Sequence, residues 1–129
     1  MARAILVHPS DTMTVLGADC SPVNPDSGVA VHYLGQPGVA VTDTNDLSNE
    51  VTVRFTGIFQ YAQDDISGDA IVAGANITIN CASGQLVCVT VDDPMTHPFF
   101  GVVFAVSGNT TCDIRLGGLP NATVTQFAI

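Results

Sequence analysis

The chain has 129 residues, about one domain in length, and only 12% of them are charged, against the ~25% usual for soluble domains. Eleven Asp and one Glu stand against Arg3, Arg54 and Arg115, with no lysine and a formal net charge of −9. Three scattered arginines make no cation cluster, so nucleic-acid phosphates and anionic membrane surfaces are poor partners, and without lysine there is no Walker-type phosphate loop.

Seventeen Val and thirteen Thr beside a single Glu favour pleated strands over helices. The opening run Met1-Ala-Arg-Ala-Ile-Leu-Val-His-Pro9 is too short in its apolar part for a signal-peptide core. The expectation is therefore a chain made and folded in a cytoplasm, with its four thiols free. No apolar run approaches the ~20 residues that span a bilayer. Residues 1–10 read as an N-terminal arm, 11–116 as a β core, and 117–129, after the Gly117-Gly118 break, as a C-terminal extension.

Strand-length segments then follow in order: Thr12 to Leu16, Gly28 to Leu34, Gly38 to Val41, Glu50 to Tyr61, Ala75 to Cys81, Leu86 to Val91, Phe99 to Val106, Cys112 to Leu116 and Ala122 to Phe127. Pro, Gly, Asn and Asp mark turns at 21–28, Gln36-Pro-Gly38, Asp92-Asp-Pro94 and 117–120. A short helical turn fits Asp64 to Gly74. In Glu50 to Thr56, Val51, Val53 and Phe55 share one face and Thr52, Arg54 and Thr56 the other. Phe99 to Val106 is apolar on both faces, as in a central strand or one covered by a partner. For the hairpin from Ala75 to Val91, a three-residue loop Ser83-Gly-Gln85 groups Ile77, Ile79 and Cys81 with Val91, Val89 and Val87, whereas a two-residue loop mixes polar with apolar on both faces. That register points Cys81 and Cys88 to opposite faces. The whole predicts an all-β protein, a small single-domain β-barrel or β-sandwich with N- and C-terminal arms.

Sites for chemistry are sparse. His8, His32 and His97 are far apart, and no G-x-S-x-G nucleophile signature occurs. Asp64-Asp65 and Asp92-Asp93 are sequence neighbours beside turns, not carboxylates facing each other across a cleft. Cys81 and Cys88 lack the short spacing and nearby His of a zinc site. The stretch Asp43 to Glu50 offers oxygen ligands but lacks the central Gly of a calcium loop, and reads as a polar loop with Asx turns. No enzyme, metal or cofactor is expected. Both termini carry apolar residues, and Arg3, Ile5, Leu6, Val7, Phe127 and Ile129 are the candidate protein contacts.

The residues also carry a family likeness. Met1-Ala-Arg, Ser10-Asp-Thr-Met-Thr-Val15, Ser27-Gly-Val-Ala-Val31 and Gly38-Val-Ala-Val-Thr-Asp43 come first. Glu50-Val-Thr-Val53 with Gly57-Ile-Phe59, Gly68-Asp-Ala-Ile-Val72 and Ala82-Ser-Gly-Gln-Leu-Val87 follow, then Phe100-Gly-Val-Val103 and Asn109-Thr-Thr-Cys-Asp-Ile-Arg-Leu116. In this order and spacing the chain resembles the capsid cement, or head decoration, proteins of tailed phages, a family formerly catalogued as a domain of unknown function. The resemblance implies a homo-oligomer, a trimer favoured. It implies a protein made in the bacterial cytoplasm that binds the major capsid protein lattice on the outer surface of the head and stabilises it, without an active site. Residues 117–129 extend past the point where the likeness ends. A second reading is a head-fibre or receptor- and glycan-binding module, contacting its target through Tyr33, Tyr61 and the Asp43 to Glu50 loop.

Overall fold

The computed structural model describes residues 11–117. The two expected arms, the strand expected at 122–127 and the candidate contacts Arg3, Ile5, Leu6, Val7, Phe127 and Ile129 lie outside the described residues, apart from Gly117. The chain runs through β1 (Thr12–Leu16), β2 (Cys20–Ser21), β3 (Ala30–Tyr33), β4 (Gln36–Ala40), β5 (Glu50–Arg54), β6 (Ile58–Ala62), β7 (Ile66–Gly68), β8 (Asn76–Ile79), β9 (Leu86–Val89), β10 (Phe99–Ser107) and β11 (Thr111–Leu116). Single 3₁₀ turns occupy Gly17–Asp19 and Gln63–Asp65. The strands form two curled sheets, one in the order β1-β5-β4-β3-β2, the other β6-β11-β10-β8-β9-β7. The fold is all-β, as the composition predicts.

Each sheet has a core, and the alternation of side chains shows how the two meet. Val15, Cys20, Val31, Ala40, Val51 and Val53 are buried together inside the curl of the first sheet. Ala30 and Val39 instead join Ile77, Ile79, Leu86, Cys88, Phe100, Val103, Cys112 and Ile114 in the core of the second. Successive strand residues point to opposite faces, so Ala30 and Val31, like Val39 and Ala40, serve two cores at once. The β3–β4 hairpin is therefore the wall between them.

Several expected elements stand as read. Thr12–Leu16 is β1. In β5, Val51 and Val53 are buried, whereas Arg54 is exposed. The doubly apolar β10 lies between β11 and β8, inside its sheet.

Four details differ. The segment expected to run from Glu50 to Tyr61 breaks at residues 55–57, where Gly57 takes φ 115°, and β6 joins the other sheet. Of the expected helical turn only Asp64 and Asp65 are helical, in the 3₁₀ turn Gln63–Asp65; β7 then pairs parallel with β9, a non-local partnership that local pattern does not encode. Gln36-Pro-Gly38 is strand and not turn, with Pro37 opposite His32 and Gly38 opposite Val31. Pro37 is tolerated because β4 meets β5 only at Val39 and Ala40, so its missing N–H costs no ladder bond on that side. A Cβ on Gly38 would lie 2.6 Å from Val53 Cγ1, so glycine here serves close strand packing.

The β8–β9 register is the fourth correction. Ile77 faces Cys88 and Ile79 faces Leu86, so the apolar set is Ile77, Ile79, Leu86 and Cys88, not the valines of β9. The loop is longer than three residues: Asn80 N–H donates to the Gln85 carbonyl at 2.8 Å and Gly84 N–H to the Asn80 carbonyl at 2.7 Å. Cys81 thereby sits in the loop and Cys88 in the core. Asn80 Oδ1 accepts from Ala82 N–H at 3.0 Å and Ser83 Oγ from Gln85 N–H at 3.2 Å. These local side-chain bonds stabilise the wider loop.

Candidate functional site

The wall between the two cores ends in a tight turn. Tyr33 pairs with Gln36, leaving Leu34 and Gly35 as a two-residue loop, and both have positive φ, 47° and 85°. That is the backbone of a type I′ hairpin turn, whose first central position is ordinarily Asn, Asp or Gly. Leucine in the left-handed region costs roughly 1–2 kcal/mol. Its side chain is also 80% exposed, so little burial offsets that strain.

Beside this turn the first core opens to the surface. Met13, Tyr33 and Phe55 continue the inward-facing rows of Val15, Val31 and Val53 and are only partly buried. With Leu34, Gln36 and Thr56 they line a groove of about 420 Å³. Tyr33 and Phe55 pack with ring centroids 6.2 Å apart and planes tilted by 48°. No lining side chain is charged, in a chain of net charge −9. On the other side of the turn a second groove is lined by His32, Gly35, Gln36, Pro37, Pro98, Phe99 and Gly117. Burial lowers the pKa of His32, which favours its neutral form. Gln36 belongs to both grooves.

The described chain also begins and ends at this place. Phe55 N–H donates to the Asp11 carbonyl at 2.7 Å, which prolongs the β1–β5 ladder to the edge of the first groove. Gly117 N–H donates to the Phe100 carbonyl at 3.1 Å and lines the second. One end of the molecule thus gathers two grooves, an exposed strained leucine and both chain exits. The first of these grooves is mainly apolar in its lining, the second mixed.

The other sequence candidates are dispersed. Tyr61 lies in a cleft between the sheets with Asp64, Asp65, Gly28, Gly84 and Gln85. Its buried hydroxyl has no hydrogen-bond partner among the described residues, and burial pushes its pKa up to about 12. Asp64, Asp65, Asp92 and Asp93 are exposed. In the loop after β4, Asn45 Oδ1 accepts from Leu47 N–H at 2.8 Å and Ser48 N–H at 3.0 Å, an Asx turn, and Asp43 Oδ1 accepts from Ser27 N–H at 2.8 Å. Among the described residues no three His, Cys, Asp or Glu side chains come together as a metal site. Tyr33 and Tyr61 line different grooves. The four cysteines are free; burial raises the thiol pKa of each, Cys88 to about 11 with Asp69 and Cys112 adding to the effect.

Sequence reasoning missed the groove. Its one local signal was Leu34-Gly35 between two apolar runs, which looks like strand end followed by turn. No family model, no curated protein and no solved structure matches the chain.

Proposed function

We propose that this is a structural binding protein and not an enzyme, which docks on the outer surface of a tailed-phage head and stabilises the shell, as a homo-oligomer against the major capsid protein lattice. The head as partner rests on the resemblance of residues 1–116 to capsid cement proteins. A docking role is supported by one observation above all: Leu34, strained and 80% exposed, stands at the lip of an uncharged apolar groove. Burying such a side chain contributes about 1.5–3 kcal/mol, and repetition over a capsid lattice multiplies weak single contacts. The test is co-sedimentation with matching heads that lack decoration, for the wild type and Leu34→Asn. The wild type pellets with heads, and the variant binds at least about tenfold more weakly per copy, as the loss of ~1.4 kcal/mol or more requires. A wild type that ignores heads across a range of salt and stays monomeric defeats the reading; binding to host cells instead of heads would move the protein to the receptor-binding class.

A further inference from the structure

We infer that a second copy of this chain adds its own β6 to the open edge of β6, antiparallel and about a two-fold axis centred on Gln60. The strand stands last in its sheet and pairs only with β11 among the described residues. Gln63 N–H donates to the Thr110 carbonyl and Leu116 N–H to the Gly57 carbonyl, both at 3.0 Å. Bonded pairs alternate along an antiparallel ladder, so residues 57, 59, 61 and 63 direct their main-chain groups to β11. The N–H and C=O groups of Ile58, Gln60 and Ala62 therefore point away from it, and all three residues are exposed. Natural edges are ordinarily blunted by a charge, a proline or a bulge. Ile58-Phe-Gln-Tyr-Ala62 has none of these.

The strand is complementary to itself. With Gln60 opposite Gln60 of the second copy, Ile58 lies opposite Ala62, and each of these pairs exchanges two main-chain bonds. On the inner face Phe59 then lies opposite Tyr61 of the other copy. Both are partly buried against the second core, and aromatic cross-strand pairs stabilise a sheet. Charge selects the same arrangement. Arg54 Nε donates to the Thr56 carbonyl at 3.1 Å and stands 3.6 Å from where a Cβ on Gly57 would lie, so its charged head sits at the start of β6. Asp64 and Asp65, both exposed, follow the end of the strand. Antiparallel pairing brings start to end twice, which sets each Arg54 toward the aspartates of the other copy. Exposed ion pairs add little strength, so they fix the register while main-chain bonds hold the contact. Salt still relieves the repulsion between two copies of net charge −9. The edge strand β1 is uncharged too, but Asp11 and Asp19 flank it, and pairing it with itself would gather like charges.

This contact specifies how the proposed homo-oligomer is joined but does not rest on head binding, so the test uses free, full-length protein. Sedimentation shows a concentration-dependent dimer, and amide exchange of Ile58, Gln60 and Ala62 slows as the dimer fills, whereas that of Thr12, Thr14 and Leu16 does not. Gln60→Pro removes an outward N–H that serves no ladder bond within the chain, so it folds and weakens the dimer at least about tenfold. Ile58→Lys, which places a charge on the same edge, is the second variant should the proline disturb the strand. Arg54→Asp weakens the dimer as well, and Asp64→Arg with Asp65→Arg in the same chain restores it. A protein that stays monomeric at every concentration and salt overturns the inference. So does slowed exchange at β1 instead of β6, which assigns the contact to the other edge, and so does slow exchange at β6 that is independent of concentration, which means that the chain covers its own edge. A dimer that ignores heads leaves the inference standing, whereas a monomer that binds them overturns it alone.

Discussion

Leu34 combines a left-handed backbone with a side chain that touches solvent over 80% of its area, two features that selection for folding alone would remove. Leu34→Asn relieves the strain, since asparagine enters the left-handed region more readily. The variant is therefore expected to gain about 1 kcal/mol in denaturant unfolding even while head binding declines; a loss of stability would show that the leucine serves the fold. Tyr61 makes the converse case, a polar atom buried without a partner among the described residues. Its folded pKa, about 12, exceeds the ordinary 10, so above pH 10 the unfolded chain loses a proton that the folded chain keeps. Stability thus falls between pH 10 and pH 12, and Tyr61→Phe flattens that limb without destabilising at neutral pH; an unchanged alkaline slope would refute this. Among the thiols, Cys81 is half-buried in its loop whereas Cys20, Cys88 and Cys112 are each 1% exposed. Alkylation followed by peptide mass analysis should mark Cys81 first and the other three only on unfolding.

The central strand β10 shows how elements constrain one another. Gly101 lies between Ile77 of β8 and Leu116 of β11, where an added Cβ would strike the Arg115 carbonyl and Ile114 Cγ2. Gly101→Ala is expected to destabilise by about 1–3 kcal/mol, as overpacking does; equal urea midpoints for variant and wild type would refute it. That β10 lies inside its sheet was legible from its apolar residues, although one face is left partly open, with Phe104 60% exposed. The Val51, Val53, Phe55 alternation was legible because a half-buried strand alternates, and it even set Phe55 on the inward row. What it could not tell is that this row runs out to the surface at Phe55, since exposure along a strand depends on where other strands stop. Gln36-Pro-Gly38 misled because turn residues also suit a strand paired on one side, and the β8–β9 register misled because loop side chains stabilised a wider turn than the shortest possible one. The parallel β7–β9 pair lies beyond any local pattern. The groove was illegible for a related reason, its lining being drawn from β1, β3, β4 and the chain after β5.

For the molecule as a whole, charge and shape are arranged in opposition. Copies with net charge −9 repel over the ~8–10 Å Debye length of moderate salt, and the uncharged grooves mark where approach is least opposed. Raising ionic strength should therefore promote self-association of the free protein, and sedimentation that shows dissociation at high salt would instead point to ion pairs across the contact. Both chain exits and both grooves lie at the Leu34 end of the β3–β4 hairpin. The start of β3 lies at the other end, where Gly28 and Ala30 share a cleft with Gly84 and Gln85, and Ala82 and Ser83 at the loop tip are exposed. Among the described residues, the molecule thus has a grooved end and, at the other end, an exposed loop. If the Leu34 end docks as proposed, a foreign peptide spliced between the exposed Ala82 and Ser83 is carried on the opposite end, so that a surface coated with this protein becomes a scaffold for displaying cargo.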